Sequence, residues 1–134
     1  MTIAIDHVGL SVADLDAMTA WWSLALDAPV EYTVDRPAIQ MRAAVLLTAE
    51  GFRLELLHRA GSARSHLRWT IAESLLAHGY GHVALRVDDV PAAFARLVEL
   101  GATPLMQPGE GSRPGMTIAF VADPEDNLVE LLSR

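Results

Sequence analysis

The sequence predicts an α+β protein made of two tandem copies of one module, each a strand, a helix and three further strands. One observation is that the chain repeats on itself at an offset of 75 residues. His7-Val8 lies over His82-Val83, Leu10 over Leu85, Val12 over Val87, Asp14 over Asp89, Pro29 over Pro104, and Leu56-Leu57 over Leu131-Leu132. A period of that length is one supersecondary unit used twice. The other is that hydrophobic patterning runs strand, helix, then strands in both halves. At 134 residues the chain is one domain's worth. It divides into module one at 1–58, a linker with a short helix at 59–78, and module two at 79–134.

Taken in order, residues 3–12 alternate as a strand does, and Asp14 or Asp16 is placed to cap the helix AMTAWWSLAL, which ends at Asp27-Ala28-Pro29. Strands are predicted near 30–34, 39–48 and 52–58, with Glu50-Gly51 punctuating the last hairpin. Residues 59–66 are polar, and SHLRWTIAESLLAH (65–78) predicts a short amphipathic helix ahead of Gly79. The second copy gives a strand in GYGHVALRV, a helix over 90–100 ended by Gly101, and a strand near 103–107. A loop PGEGSRPG follows, then strands MTIAFVAD and NLVELLS about the turn Pro124-Glu125-Asp126-Asn127.

Composition removes several functions. Net charge is −7, so the field of the chain repels a phosphate backbone and no nucleic-acid role is expected. All ten basic residues are arginine, which excludes a lysine Schiff base and leaves cationic recognition to guanidinium groups. Without cysteine there is no thiol nucleophile, disulfide framework or thiolate metal site. No apolar stretch approaches about 18 residues and no charged start precedes an apolar run, so the expectation is a soluble cytoplasmic protein that does not engage membranes.

Inside the repeat sit two residues of ligand type. His7 and Glu55 are 48 positions apart, and so are His82 and Glu130. A unit carrying one His and one Glu, used twice, supplies two imidazoles and two carboxylates, the donor set of a divalent ion of the borderline or first-row transition kind. Strand alternation places His7 on a face with Gly9 and Ser11, Glu55 with Arg53 and Leu57, His82 with Ala84 and Arg86, and Glu130 with Leu128 and Leu132. Each is expected mid-strand among apolar neighbours, where an unpartnered carboxylate costs several kcal/mol. A lone strand histidine is ordinarily a core or edge residue and a lone strand glutamate ordinarily faces solvent. Repetition of both types in one register favours a metal site.

GYGHVALRVDD and the ending FVADPEDNLVELL resemble the glyoxalase I members of the vicinal oxygen chelate superfamily, across essentially the whole chain. That superfamily also holds bleomycin-resistance proteins, extradiol dioxygenases, methylmalonyl-CoA epimerases and fosfomycin-resistance enzymes. The resemblance implies that each βαβββ module curls into half of an open barrel and that two modules enclose one metal. It implies His7, Glu55, His82 and Glu130 as ligands, and Trp21-Trp22 in place of the usual Phe-Tyr ring pair of the first helix. Ring-cleaving and fosfomycin-resistance members use three ligands, epimerases typically have Gln where this chain has Glu55, and metal-free binding members generally lack the ligands. The full set therefore points to the glyoxalase type.

The resemblance implies a lyase or isomerase moving a proton between adjacent carbons of an α-hydroxycarbonyl or thiohemiacetal through a metal-stabilised enediolate, with Glu130 or its counterpart Glu55 as the proton carrier. It also implies a divalent ion, with Ni, Co, Zn, Mn and Fe(II) all open, and glutathione or another thiol as a candidate cosubstrate. A bleomycin-resistance-type binding protein is the alternative, and a ring-cleaving dioxygenase a weaker one. Glutathione-using members often carry an arginine four residues after the first histidine; here that residue is Ser11, while its counterpart in module two is Arg86. Arg86 is therefore a candidate for binding a substrate carboxylate or phosphate, or else a structural partner for an acidic neighbour. Arg113 in the Gly/Pro-rich loop is a second candidate, set against an ordinary solvated charge. Asp27 stands where a glycine usually ends the first helix, and Trp69 is expected to line a pocket, a dimer seam or the core. Open sheet edges imply a homodimer.

Overall fold

The computed structural model describes residues 1–64 and 70–134, which fall into two compact units, Met1–Arg64 and Ser65–Arg134. In the first, strand β1 (Val8–Ser11) leads into helix α1 (Leu15–Leu26), then β2 (Val30–Arg36), a 3₁₀ turn (Pro37–Ile39), β3 (Met41–Leu47) and β4 (Arg53–Arg59). The sheet order is β1-β4-β3-β2, with β1 parallel to β4 and the other pairs antiparallel. After a single helical turn α2 (Ile71–Ser74), the second unit runs β5 (His82–Arg86), α3 (Val90–Glu99), β6 (Thr103–Glu110), β7 (Thr117–Ala122) and β8 (Leu128–Ser133). Its order is β5-β8-β7-β6, with β5 parallel to β8. The α+β class and the strand–helix–three-strand order are those the repeat predicts.

The same physical devices build both copies. Asp14 and Asp89 are the N-caps, accepting from Ala17 N at 3.0 Å and Ala92 N at 2.9 Å and so satisfying a backbone donor that has no helical partner. Asp16 belongs to the first turn instead. Both helices end with a left-handed residue, Asp27 at φ 50° and Gly101 at φ 107°, after which Ala28 N donates to Ser23 O and Ala102 N to Leu97 O. Aspartate tolerates that conformation because its short polar side chain bonds locally.

The helix-covered face of each sheet is core, and Ala43, Val45, Phe120, Ala122 and Leu128 are buried on the other face. Leu15, Met18 and Trp22 of α1 lie over Ala44, Leu46, Leu54 and Leu56, while Val90, Phe94 and Leu97 of α3 lie over Ala119, Val121, Val129 and Leu131. Each large side chain so buried contributes about 1.5–3 kcal/mol. Trp21 meets Trp22 edge-on, with ring centroids 5.1 Å apart.

Several predicted boundaries shift. The first strand begins at Val8 and not Ile3, because its parallel partner β4 starts at Arg53 and the residues before it turn at Gly51 (φ 88°). Ile3 and Ile5 are consequently exposed. The helix expected over 65–78 is reduced, in its described part, to Ile71–Ser74, opened by a capping box between Thr70 and Glu73; residues 65–69, Trp69 among them, lie outside the described residues. β6 runs three residues further than predicted, through Pro108-Gly109-Glu110 of the expected loop. Two register shifts accommodate it, and edge position is where a sheet admits proline.

The turn between β7 and β8 is closed by Asp123. Its buried carboxylate accepts from Glu125 N, Asn127 N and Asn127 Nδ2 at 2.9–3.0 Å. Among the described residues no helix is long and apolar enough to cross a membrane.

Candidate metal centre

The parallel ladders set the site. Gly9 of β1 stands opposite Glu55 of β4, and Ala84 of β5 opposite Glu130 of β8. In each case the histidine lies two residues before the small residue, so it shares the face of the glutamate and reaches it diagonally. His7 Nε2 is 2.9 Å from Glu55 Oε2, and His82 Nε2 is 3.0 Å from Glu130 Oε2. Two sheets thus present the same donor pair, one imidazole nitrogen beside one carboxylate oxygen.

Glu55 and Glu130 stand mid-strand among apolar neighbours, as expected, with buried Val45 and Phe120 opposite them, whereas the histidines do not. His7 precedes β1 and His82 opens β5, and all four side chains lie on the sheet face away from the helix of their own unit. Glu55 and Glu130 are 20% and 16% exposed. Partial exposure reduces the cost of their charge and leaves an oxygen open to a ligand.

Surroundings of the two histidines are unequal. His7 Nδ1–H donates to Asp6 at 2.8 Å, and that hydrogen bond, with the nearby charge of Glu55, holds the His7 pKa above its ordinary value. The same bond holds the Asp6 carboxyl below its own. With Asp6 on Nδ1, Nε2 is the nitrogen that faces Glu55 and would bind an ion in place of a proton, the arrangement by which carboxylates orient metal-binding imidazoles. Sequence reasoning passes over Asp6; the signal it offers is an acid directly before the histidine in one copy, where the other has Gly81. His82 packs edge-on against Phe120, centroids 5.3 Å apart, and Phe120 is also the cross-strand neighbour of Glu130.

Arg86 lies on the Glu130 face of its sheet, opposite Leu132, and makes no ion pair among the described residues. It therefore has no acidic structural partner there. Arg113 is on an exposed turn closed by Gly111 N to Met116 O at 2.7 Å and Met116 N to Arg113 O at 3.1 Å. Arg53, two residues before Glu55 on the same face, is held by Glu31 through two bonds of 2.7 and 3.0 Å.

The donors fit a borderline divalent ion: neutral imidazole nitrogen and carboxylate oxygen, without sulfur. Among the described residues no group of three or more His, Asp or Glu gathers in metal-binding geometry. Asp6 sits on the far nitrogen of His7 and is a support for a ligand, not a ligand. Each unit therefore offers two donors, half of a four-coordinate shell.

The chain belongs to the glyoxalase/bleomycin resistance protein/dioxygenase superfamily, whose family model matches residues 4–131. It is 31% identical over 131 residues to the ethylmalonyl-CoA/methylmalonyl-CoA epimerase of Cereibacter sphaeroides, covering 95% of each chain. It is 26% identical over 129 residues to a probable lactoylglutathione lyase of Synechocystis, covering 94% of this chain and 92% of the relative. Its fold matches the crystal structure of glyoxalase I from Zea mays with a TM-score of 0.75 at 24% identity, over 96% of this chain and 44% of that one.

Proposed function

We propose that the protein is a metal-dependent lyase of the lactoylglutathione lyase type, acting on the thiohemiacetal of a small α-oxoaldehyde with glutathione or another thiol. The observation that carries this reading is the repeated His–Glu pair, at the same register and nearly the same distance in both sheets. His7, Glu55, His82 and Glu130 would hold one divalent ion, Ni, Co, Zn, Mn or Fe(II), within one chain or between the two chains of a homodimer. Such an ion would supply stabilisation of negative charge on substrate oxygens and so raise the acidity of the neighbouring carbon.

The residues of the chain do the rest. Glu130, with Glu55 as its counterpart, takes a proton from one carbon and returns it to the next, a task for a carboxylate placed on the open face of a sheet. Asp6 keeps the His7 ring in the orientation that directs Nε2 toward Glu55. Arg86, on the Glu130 face, binds a carboxylate of the thiol adduct in the role that Ser11 is unable to fill. Arg113 is proposed to contact the same adduct from its turn.

The epimerase relative supports a second reading, since inverting a carbon beside a carbonyl is also removal and return of one proton. Both readings use Glu130, whereas Glu55 favours the lyase, since epimerases typically have Gln at that position. The deciding experiment is metal analysis of the purified protein, followed by turnover of the methylglyoxal–glutathione adduct and of methylmalonyl-CoA with each metal restored. Faster turnover of the adduct supports the lyase. Turnover of methylmalonyl-CoA alone would replace it with the epimerase, and no turnover of either with any metal would favour a ligand-binding protein.

A further inference from the structure

On the opposite side of the first sheet from Glu55, helix α1 and strands β2 and β3 border an open cleft of about 470 Å³. The register separates the two sites. Glu55, Val45 and Tyr32 form one cross-strand row, whereas Asp35, Arg42 and His58 form another with the opposite facing. Asp16, Thr19 and Ser23 line the cleft from α1, and Thr33, Asp35 and Arg42 from the sheet, over an apolar floor of Ala20, Ala44 and Leu15. That volume is within the range of small-molecule sites.

Two features of the lining are unspent. Arg42 makes no ion pair among the described residues, although Asp35 is its cross-strand neighbour and Asp16 shares the cleft. The Thr19 hydroxyl is buried and has no hydrogen-bond partner among the described residues, which is uncommon for a helical threonine, and Thr19 lines the cleft. By contrast Ser23 donates to Ala28 O at 2.6 Å, and the His58 ring is held at Val12 O at 2.9 Å, so neither is free to answer a ligand.

A guanidinium on one wall with two carboxylates near it matches a ligand carrying both charges. A simple anion would meet Asp16 and Asp35, and a simple cation would meet Arg42. We propose that the cleft binds a small zwitterion of the α-amino acid class, its carboxylate on Arg42, its ammonium between Asp16 and Asp35, and an aliphatic side chain on the apolar floor. This site is independent of the metal reading.

The test uses L-leucine with two near-isosteres, 4-methylpentanoate, which lacks the ammonium, and 3-methylbutylamine, which lacks the carboxylate. Each is titrated into the ¹⁵N-labelled full chain while amide shifts are followed. The expected result is a leucine Kd of about 1 mM, the scale for a ligand of that size. Shifts should be confined to 16–23, 33–35 and 42–44, with both isosteres at least tenfold weaker. Arg42→Gln should weaken leucine at least tenfold at unchanged melting temperature, and Asp35→Asn serves the same purpose if that variant does not fold. No leucine shifts up to 10 mM, equal binding of either isostere, or shifts at His7 and Glu55 instead of the cleft would each overturn the proposal.

Discussion

Asp6 and Glu55 take opposite nitrogens of a single imidazole: His7 donates through Nδ1 to Asp6 at 2.8 Å while its Nε2 lies 2.9 Å from Glu55. Both carboxylates favour the protonated ring, so in metal-free protein His7 should titrate above the ordinary histidine value. Its folded pKa then exceeds its unfolded one, and the contribution to stability is complete below the unfolded value of about 6.5 and lost as pH rises through the raised one. NMR titration of the histidine ring protons checks this. Asp6→Asn should bring the His7 midpoint down, and an unchanged midpoint would remove Asp6 as the cause.

Replacing Glu130 by Gln keeps shape and an oxygen donor but removes the ability to carry a proton. Turnover of the preferred substrate should fall about 100-fold or more with metal still bound. Glu55→Gln reports on its counterpart. Full turnover in both single variants, with metal content verified, would end the proton-carrier assignment.

An ion held only by the folded protein raises stability by RT ln(1 + [L]/Kd), about 2.7 kcal/mol when free metal is a hundred times Kd. Chelation should therefore lower the melting temperature, and His82→Ala should reduce both metal content and the metal-dependent shift. Unaltered occupancy and melting in His82→Ala would exclude His82 as a ligand.

Asp123 is buried and accepts three donors of the β7–β8 turn. Asp123→Ala strands those donors and should cost about 2–4 kcal/mol, or roughly 5–15 °C in melting temperature. Asp123→Asn, which retains one acceptor, should cost less. Calorimetry of both variants measures the difference, and equal melting of Asp123→Ala and the wild type would show the turn to be held by other contacts.

The proposed homodimer should appear at micromolar concentration as twice the chain mass by light scattering. Exposed Ile3 and Ile5 beside the β1 edge are apolar groups that a second copy would cover. A monomer under those conditions would contradict this assembly.

The 75-residue repeat makes the ladders legible in the sequence: residues equivalent at that offset, such as Leu56 and Leu131, occupy equivalent core positions. Element ends are less legible because they depend on partners. Whether residues 3–7 form a strand is decided by where β4 begins, and whether Pro108 ends one is decided by β6 lying at an edge. At the site, the spacing pairs His7 with Glu55 and His82 with Glu130 correctly within each unit, since ladder register is a property of the module. It places the histidines too far inside their strands, because where a strand begins depends on its partner. Asp6 escapes such a reading because its role lies in a ring nitrogen, not in a pattern.

The prolines of β6 have a consequence for the solubility of the folded chain. Pro104 and Pro108 carry no N–H, and the strand departs from regular register twice, so an incoming segment finds an interrupted row of donors on that sheet margin. In the first unit's sheet the edge strand β2 relies on a bulge at Val30/Tyr32 and on the charges of Glu31, Asp35 and Arg36. Substituting both prolines would leave β6 a smoother template for fibrillar stacking than β2, with the first ordered aggregates growing from the second module.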